Sequence, residues 1–385
     1  MESIITQIPL IILSVVFLLG PIVIIHELGH YLAGRMFGAA AESFSVGFGK
    51  PIFVHKDKRN TRWRVNWIPF GGFVAFVGET PGEAASADAL PAANTPVGKA
   101  FMEMSVWQRS VVAVAGPLAN FVTAILIFAV IALTFGKPIQ KVTVAGFAAG
   151  PAEAAGFEIG DIFLSVNDKE IVQQQDILNY VSLSSGSELK FVMERAGQKV
   201  DVAVIPERQI VETDLGQKVN IGRIGISMST RTVEQISFGP FSAVGEGILR
   251  TGDIISTTGR VLGRLVTGRE PITQLSGPVG IGDLASRVAS RTLEREDIPL
   301  ASRLKALGWN LLQIAAFISV GVGLVNLLPL PVLDGGHLVM NAYEAVTGSV
   351  LPERIQGLTL RFGMVFLLTI AAIVTVGDIA KIGFF

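Results

Sequence analysis

The chain contains no cysteine among its 385 residues. Disulfides and cysteine-ligated metal sites are thereby excluded, and thiols give no reading of the redox compartment. Charge is scarce as well. Asp, Glu, Lys and Arg make up 16 % of the residues, against about 25 % in a soluble globular protein. The formal net charge is −1, so no basic surface calls for nucleic acid as a partner. Histidine occurs only four times, which makes each copy informative. What the chain has in quantity is apolar side chains, half of the total.

Those side chains are concentrated. Four stretches, about residues 8–33, 110–135, 309–330 and 362–382, are long and apolar enough to cross roughly 30 Å of hydrocarbon as helices. The expected fold is therefore a polytopic α-helical membrane protein with four transmembrane helices. The first run lacks a basic leader and a small-residue cleavage site, so it is expected to stay as a span and not to act as a signal peptide. Orientation follows from loop lysines and arginines. Lys50, Lys56, Lys58, Arg59, Arg62 and Arg64 crowd the first loop against one acid, Asp57, while the N-terminal tail has no base. That loop is expected on the cytoplasmic side, with both chain termini and the long 136–308 region outside.

Residues 1–36 then form the first span, 37–105 a cytoplasmic loop and 106–136 the second span. In the loop, "TRWRVNW" alternates, with Arg62, Arg64 and Asn66 on one side and Trp63, Val65 and Trp67 on the other. This is the period of a half-exposed strand. Residues 43–79 are expected as membrane-associated β-hairpins whose edges can pair with an extended peptide. A small sheet that only stabilises the helices is the alternative. Residues 80–98, rich in Ala, Pro and Gly, read as a linker.

Residues 137–208 form a separate unit. It has turn glycines at 156 and 160, a strand at Ile162–Val166 and an Asn-Asp turn. A helix is expected over 174–184, then two strands around Ala196-Gly197. The run "GPAEAAGFEIGDIFLSVND" resembles a PDZ domain, which implies either peptide binding by strand addition or a steric plug. Residues 209–306 form an extracytoplasmic extension with amphipathic helices. There Phe241, Val244, Ile248, Ile255, Val261, Leu262 and Leu265 recur at roughly helical spacing. Such a helix could lie on the membrane surface or pack on the PDZ-like unit. Residues 307–337 hold the third span, and 338–385 a cytoplasmic loop with the fourth.

The chemistry lies at the end of the first span, in "HELGH". On a helix, positions i and i+4 sit about 40° apart, so His26 and His30 can reach one metal ion. Glu27 beside them can take a proton from water. Zinc suits imidazole nitrogens with an open position for water. Ionisable residues inside a span are functional by default. A catalytic zinc also needs a third protein ligand. His55 sits in the basic loop and is expected in solvent. The stronger candidate is Asp334 in "NLLPLPVLDGGH", where two prolines break the third span. A broken helix within a membrane is tolerated where it is buried in protein or lines a wet cavity. Asp334 could instead cap the following helix. His337 is either close to the metal or merely interfacial. Spans one and three both run outward to inward, so the two motifs meet at one depth.

Together, HELGH at 26–30, NLLPLPVLDGG at 326–336 and the PDZ-like insertion resemble the site-2 protease family of intramembrane zinc metallopeptidases. "VGFGKPIF", "GPFSAV" and "LSGPVGI" are similar to its bacterial sigma-E regulator protease branch. The resemblance implies Zn2+ held by His26, His30 and Asp334, Glu27 as the catalytic base and Asn326 on the substrate backbone. It also implies site-2 cleavage of single-span membrane proteins already trimmed by a site-1 protease, such as anti-sigma factors and signal-peptide remnants. The implied setting is the bilayer of a bacterial inner membrane, with a periplasmic PDZ domain. The enterobacterial members carry two tandem PDZ domains, whereas this chain shows one. A non-catalytic PDZ-bearing receptor with a structural metal is the alternative. A metal transporter would want more polar residues within the spans.

Overall fold

Apolar runs too long for the core of a small domain become long helices, and the polar and glycine-rich stretches between them become sheet and short helix. A computed structural model describes residues 2–79, 96–212, 218–268, 275–295 and 297–382. In chain order the elements begin with α1 (Glu2–Met36), β1 (Ala41–Lys56), β2 (Arg62–Phe76) and α2 (Val106–Phe135). Then come β3 (Lys137–Phe147), α3 (Ala152–Ala155), β4 (Ile162–Val166), β5 (Lys169–Glu170), α4 (Gln174–Leu183), β6 (Leu189–Arg195) and β7 (Gln198–Val204). After β8 (Glu207–Glu212), β9 (Lys218–Arg223) and β10 (Ile226–Ile236) the chain is helical. Its last elements are α5 (Pro240–Val266), α6 (Pro278–Leu293), α7 (Leu300–Asn326), α8 (Asp334–Thr347) and α9 (Glu353–Ile382).

The chain divides into two compact units. One comprises residues 1–128, 247–260 and 275–385, the other 129–246 and 261–274. Among the described residues four helices are long and apolar enough to cross a membrane: Ile11–Met36, Val106–Phe135, Leu300–Asn326 and Glu353–Ala380. They show outward apolar faces, as Leu13, Phe17 and Phe362 do at 64 %, 64 % and 73 % exposure. Such faces fit a hydrocarbon solvent. The third of these helices ends at Asn326, short of the expected residue 330. Pro329 and Pro331 follow directly, and neither can donate the backbone hydrogen bond that would carry the helix on.

In the first unit β1 and β2 pair antiparallel as one long hairpin. Their register shifts repeatedly between Ala41 and Phe53, and these irregularities overturn the simple alternation. Asn66 is buried and donates to the Gly47 carbonyl at 2.8 Å, while Trp67 is 70 % exposed. Phe44, Tyr31 and Trp63 pack ring to ring and fix the hairpin base to α1. Of the expected linker, residues 80–95 lie outside the described residues. Helix α6 packs among the apolar helices. A methyl group at Gly282 would meet Val15 and Ile11 of α1 at 2.6 and 2.8 Å. Asp378 of α9 accepts the Gly277 and Gly280 amides at the start of α6, at 2.9 and 2.8 Å.

The second unit is built on a sheet of order β10-β3-β4-β6-β7, with β5 beside β4. The Asn167-Asp168 and Ala196-Gly197 turns carry positive φ at both positions, the left-handed geometry of two-residue hairpin turns. Phe157, Phe163 and Phe191 form a ring cluster with centroids 5.6–6.1 Å apart. Val142, Val166, Ile177, Leu189 and Met193 complete its core. The sheet does not end at residue 208, because β10 from the following region pairs antiparallel with β3 along its edge.

Candidate metal centre

Helical spacing puts His26 and His30 one turn apart on α1, and each ring turns its Nε2 inward. The two Nε2 atoms lie 3.1 Å apart. His26 Nε2 is 3.1 Å from Asp334 Oδ2, and His30 Nε2 is 3.4 Å from Asp334 Oδ1. Of the described residues, these three form the group of His, Cys, Asp and Glu side chains able to hold one metal ion. A tetrahedral zinc with bonds of about 2.0–2.1 Å has ligand-to-ligand edges of about 3.3 Å. The observed spacings of 3.1–3.4 Å are of that size, with the carboxylate offering a different oxygen to each histidine. Asp334 Oδ2 is buried, and His26 Nε2 at 3.1 Å makes no well-directed hydrogen bond to it, a cost that a cation between the two removes.

Each ligand is oriented from behind. His30 Nδ1 meets the Val112 carbonyl of α2 at 2.7 Å, so Nδ1 carries the proton and Nε2 is free to ligate. Gly116 lies against the same ring, and any Cβ there would overlap the imidazole. His26 Nδ1 faces Asn120 of α2 at 3.2 Å. Asp334 is the first residue of α8 and makes no side-chain cap; Leu333 is the N-cap residue. Its carboxylate is turned to the histidines instead. Behind it, Gly335 and Gly336 lie so close to the carbonyls of Leu327, Leu328 and Leu330 that a methyl group at either would overlap them. The LDGG sequence therefore lets the chain fold tightly after the broken helix.

Glu27 lines the same cavity, where its Oε2 accepts the Val74 amide of β2 at 3.0 Å. Asn326, at the end of α7, brings its Nδ2 to 3.3 Å from His26 Nε2. A cavity of about 270 Å³ opens here, lined by His26, Glu27, His30, Asn326, Asp334 and His337 among others. Its wall includes Val74, Phe76 and Glu79. Buried Arg109 closes another side and pairs with Glu344 at 2.6 Å. All five sequence-derived site residues thus meet in one place, while His55 lies exposed on β1. Asn120 and Val74 were not foreseen. Asn120 carried a signal, as an amide in the middle of an apolar helix. Val74 carried none, because its contribution is a backbone N–H.

This geometry places the Glu27 carboxylate beside an HExxH group able to hold a metal ion. Residues 14–370 match Peptidase family M50. The chain belongs to that family. Metalloprotease MmpA of Caulobacter vibrioides is 38 % identical over 375 residues, covering 93 % of this chain and 92 % of its own. A candidate zinc metalloprotease of Brucella suis is 38 % identical over 376 residues, covering 96 % and 94 %. One of Agrobacterium fabrum is 34 % identical over 377 residues, covering 96 % of each. The M50 protein is a metallopeptidase, as its resemblance to the site-2 proteases implied. A second concavity, about 520 Å³, lies in the other unit between Ile177, Leu178 and Val181 of α4 and Ile224, Ile226 and Met228 at the start of β10.

Proposed function

We propose that this M50 peptidase uses Zn2+, held by His26, His30 and Asp334, to cleave single-span membrane proteins within the bilayer. The observation that carries the reading is the meeting of two Nε2 atoms and a carboxylate, 3.1–3.4 Å apart, on helices apolar enough to span a membrane. Zinc, when bound, polarises the scissile carbonyl and acidifies water. Glu27 takes the proton of the attacking water and passes it to the leaving amide nitrogen as the C–N bond breaks. Asn326, with its amide beside the histidines, holds the substrate backbone. A helical substrate keeps its amides in its own hydrogen bonds, so it unwinds locally and lies along the β2 edge as an added strand.

The substrate class is a membrane stump left by a prior site-1 cut, of the anti-sigma factor or signal-peptide type. The setting is a bacterial inner membrane, with the termini and the second unit on the periplasmic side. Loop charges around Lys50–Arg64 support that orientation. The second unit acts as a PDZ domain. The concavity between α4 and the edge strand β10 supports strand-wise peptide capture there more than a simple plug.

Cleavage of a truncated single-span reporter, by the intact chain and by Glu27→Gln in proteoliposomes, tests the mechanism. The variant is expected to lose cleavage and keep its zinc, and equal cleavage by both would sink the proposal. Zinc content of His26→Ala and Asp334→Ala tests the ligands separately.

A further inference from the structure

A histidine that ligates through Nε2 must keep its proton on Nδ1, and that proton needs an acceptor. For His30 the acceptor is the Val112 carbonyl. For His26 the neighbour is the side-chain amide of Asn120, with Nδ2 at 3.2 Å from Nδ1. An amide nitrogen donates and cannot accept. In this orientation it would hold the ring proton on Nε2, the atom that faces His30 and Asp334. Asn120 Oδ1 meanwhile is buried with no hydrogen-bond partner among the described residues. Turning the amide by half a rotation exchanges Oδ1 and Nδ2 with almost no change of shape. Oδ1 then accepts from His26 Nδ1–H, and the amide N–H groups take the place that Oδ1 leaves.

We propose that Asn120 is a positioning residue of the metal centre: through Oδ1 it accepts the Nδ1 proton of His26 and so fixes the tautomer that offers Nε2 to the metal. The residue is built for a fixed role. It is fully buried, and its own backbone carbonyl accepts Ser319 Oγ of α7 at 2.9 Å, which pins this turn of α2. Asn120 touches neither substrate nor the reacting atoms, and it acts through His26 alone. The inference rests on the zinc reading above, but it concerns affinity and not turnover.

The test measures zinc affinity of the purified full-length protein by competition with a chromogenic chelator, for wild type, Asn120→Leu and Asn120→Asp. Leucine keeps the branching at Cγ and removes the acceptor, so affinity is expected to fall about 10- to 100-fold, the usual effect of losing an outer partner of a metal-bound histidine. Aspartate keeps an acceptor oxygen, so affinity is expected to match or exceed wild type. The visible spectrum of the Co2+-loaded protein should be preserved in the aspartate variant. Folded Asn120→Leu protein that binds zinc as tightly as wild type would overturn the proposal. So would a tenfold loss in Asn120→Asp, which decides the matter even where the leucine variant does not fold. Wild-type protein that binds no zinc would instead refute the zinc reading.

Discussion

The Val74 amide donates to Oε2 of Glu27 at 3.0 Å, so a strand beside the cavity fixes one oxygen of the proposed general base. The amide is directed away from the ladder with β1. Proline is tolerated in a strand where the N–H is outside the ladder, which makes Val74→Pro a usable probe. Losing the donor frees the carboxylate to rotate. We expect kcat to fall about tenfold, part of the 10²–10⁴ that a positioned base contributes, with zinc content unchanged. An unaltered kcat would show that the bond does not orient the base.

The next outward amide on the same edge is also taken. Phe76 N–H donates to Glu79 Oε2 at 3.1 Å, and Glu79 lines the cavity wall. A substrate strand added along β2 needs that donor for one of its carbonyls. Glu79→Ala is therefore expected to lower KM for the single-span reporter about two- to fivefold, on the order of 0.5–1 kcal/mol, the net size of one hydrogen bond. Its kcat and zinc content should stay the same. A raised KM would mean that Glu79 assists binding and does not compete with it.

Gly116 and Gly335 admit no side chain. A methyl at Gly116 would overlap the His30 imidazole, and one at Gly335 would overlap the Leu327 and Leu328 carbonyls. The first variant should move a ligand and leave the helix intact. Gly116→Ala is expected to lose zinc affinity tenfold or more, by roughly the outer-partner scale, with little change in thermal unfolding. Gly335→Ala must shift backbone, so it should lose zinc and also about 1–3 kcal/mol of stability from overpacking. Chelator competition beside thermal unfolding separates the two.

What could be seen in advance followed the range of the interaction. HELGH was legible because i and i+4 define a helical face without any tertiary information. Asp334 was legible because prolines break an apolar helix only where a cavity or protein receives the ends. Strand β4 and the Asn167-Asp168 turn were legible from local chemistry. The rest depended on partners far along the chain. Strand β10 reads as a polar, threonine- and serine-rich run, and only its pairing with β3, some ninety residues earlier, makes it part of the sheet. The alternation put Asn66 on one face with Arg62 and Arg64, because bulges between β1 and β2 leave no trace in an alternating pattern. What Asp378 meets are the Gly277 and Gly280 amides, some hundred residues earlier.

The second unit also has a buried charge whose titration is predictable. Asp161 is 1 % exposed and receives two bonds from Arg195, Nε to Oδ1 and Nη2 to Oδ2, both at 2.8 Å, with the Glu158 amide at 2.9 Å. The Arg195 guanidinium outweighs the burial and holds the Asp161 carboxyl below the usual carboxylate range. Its pKa is thus lower in the folded state than in the unfolded chain, where it is about 3.9. The unfolded state then takes up the proton first as pH falls. The stabilisation is fully present above the unfolded value and disappears as pH drops through the folded one. Asp161→Asn removes this linkage, so its unfolding temperature should be lower than wild type at pH 7, with the gap closing below about pH 4. Unfolding followed by fluorescence between pH 3 and 7 reads both. A gap that is the same at every pH would assign the loss to packing and not to the ion pair.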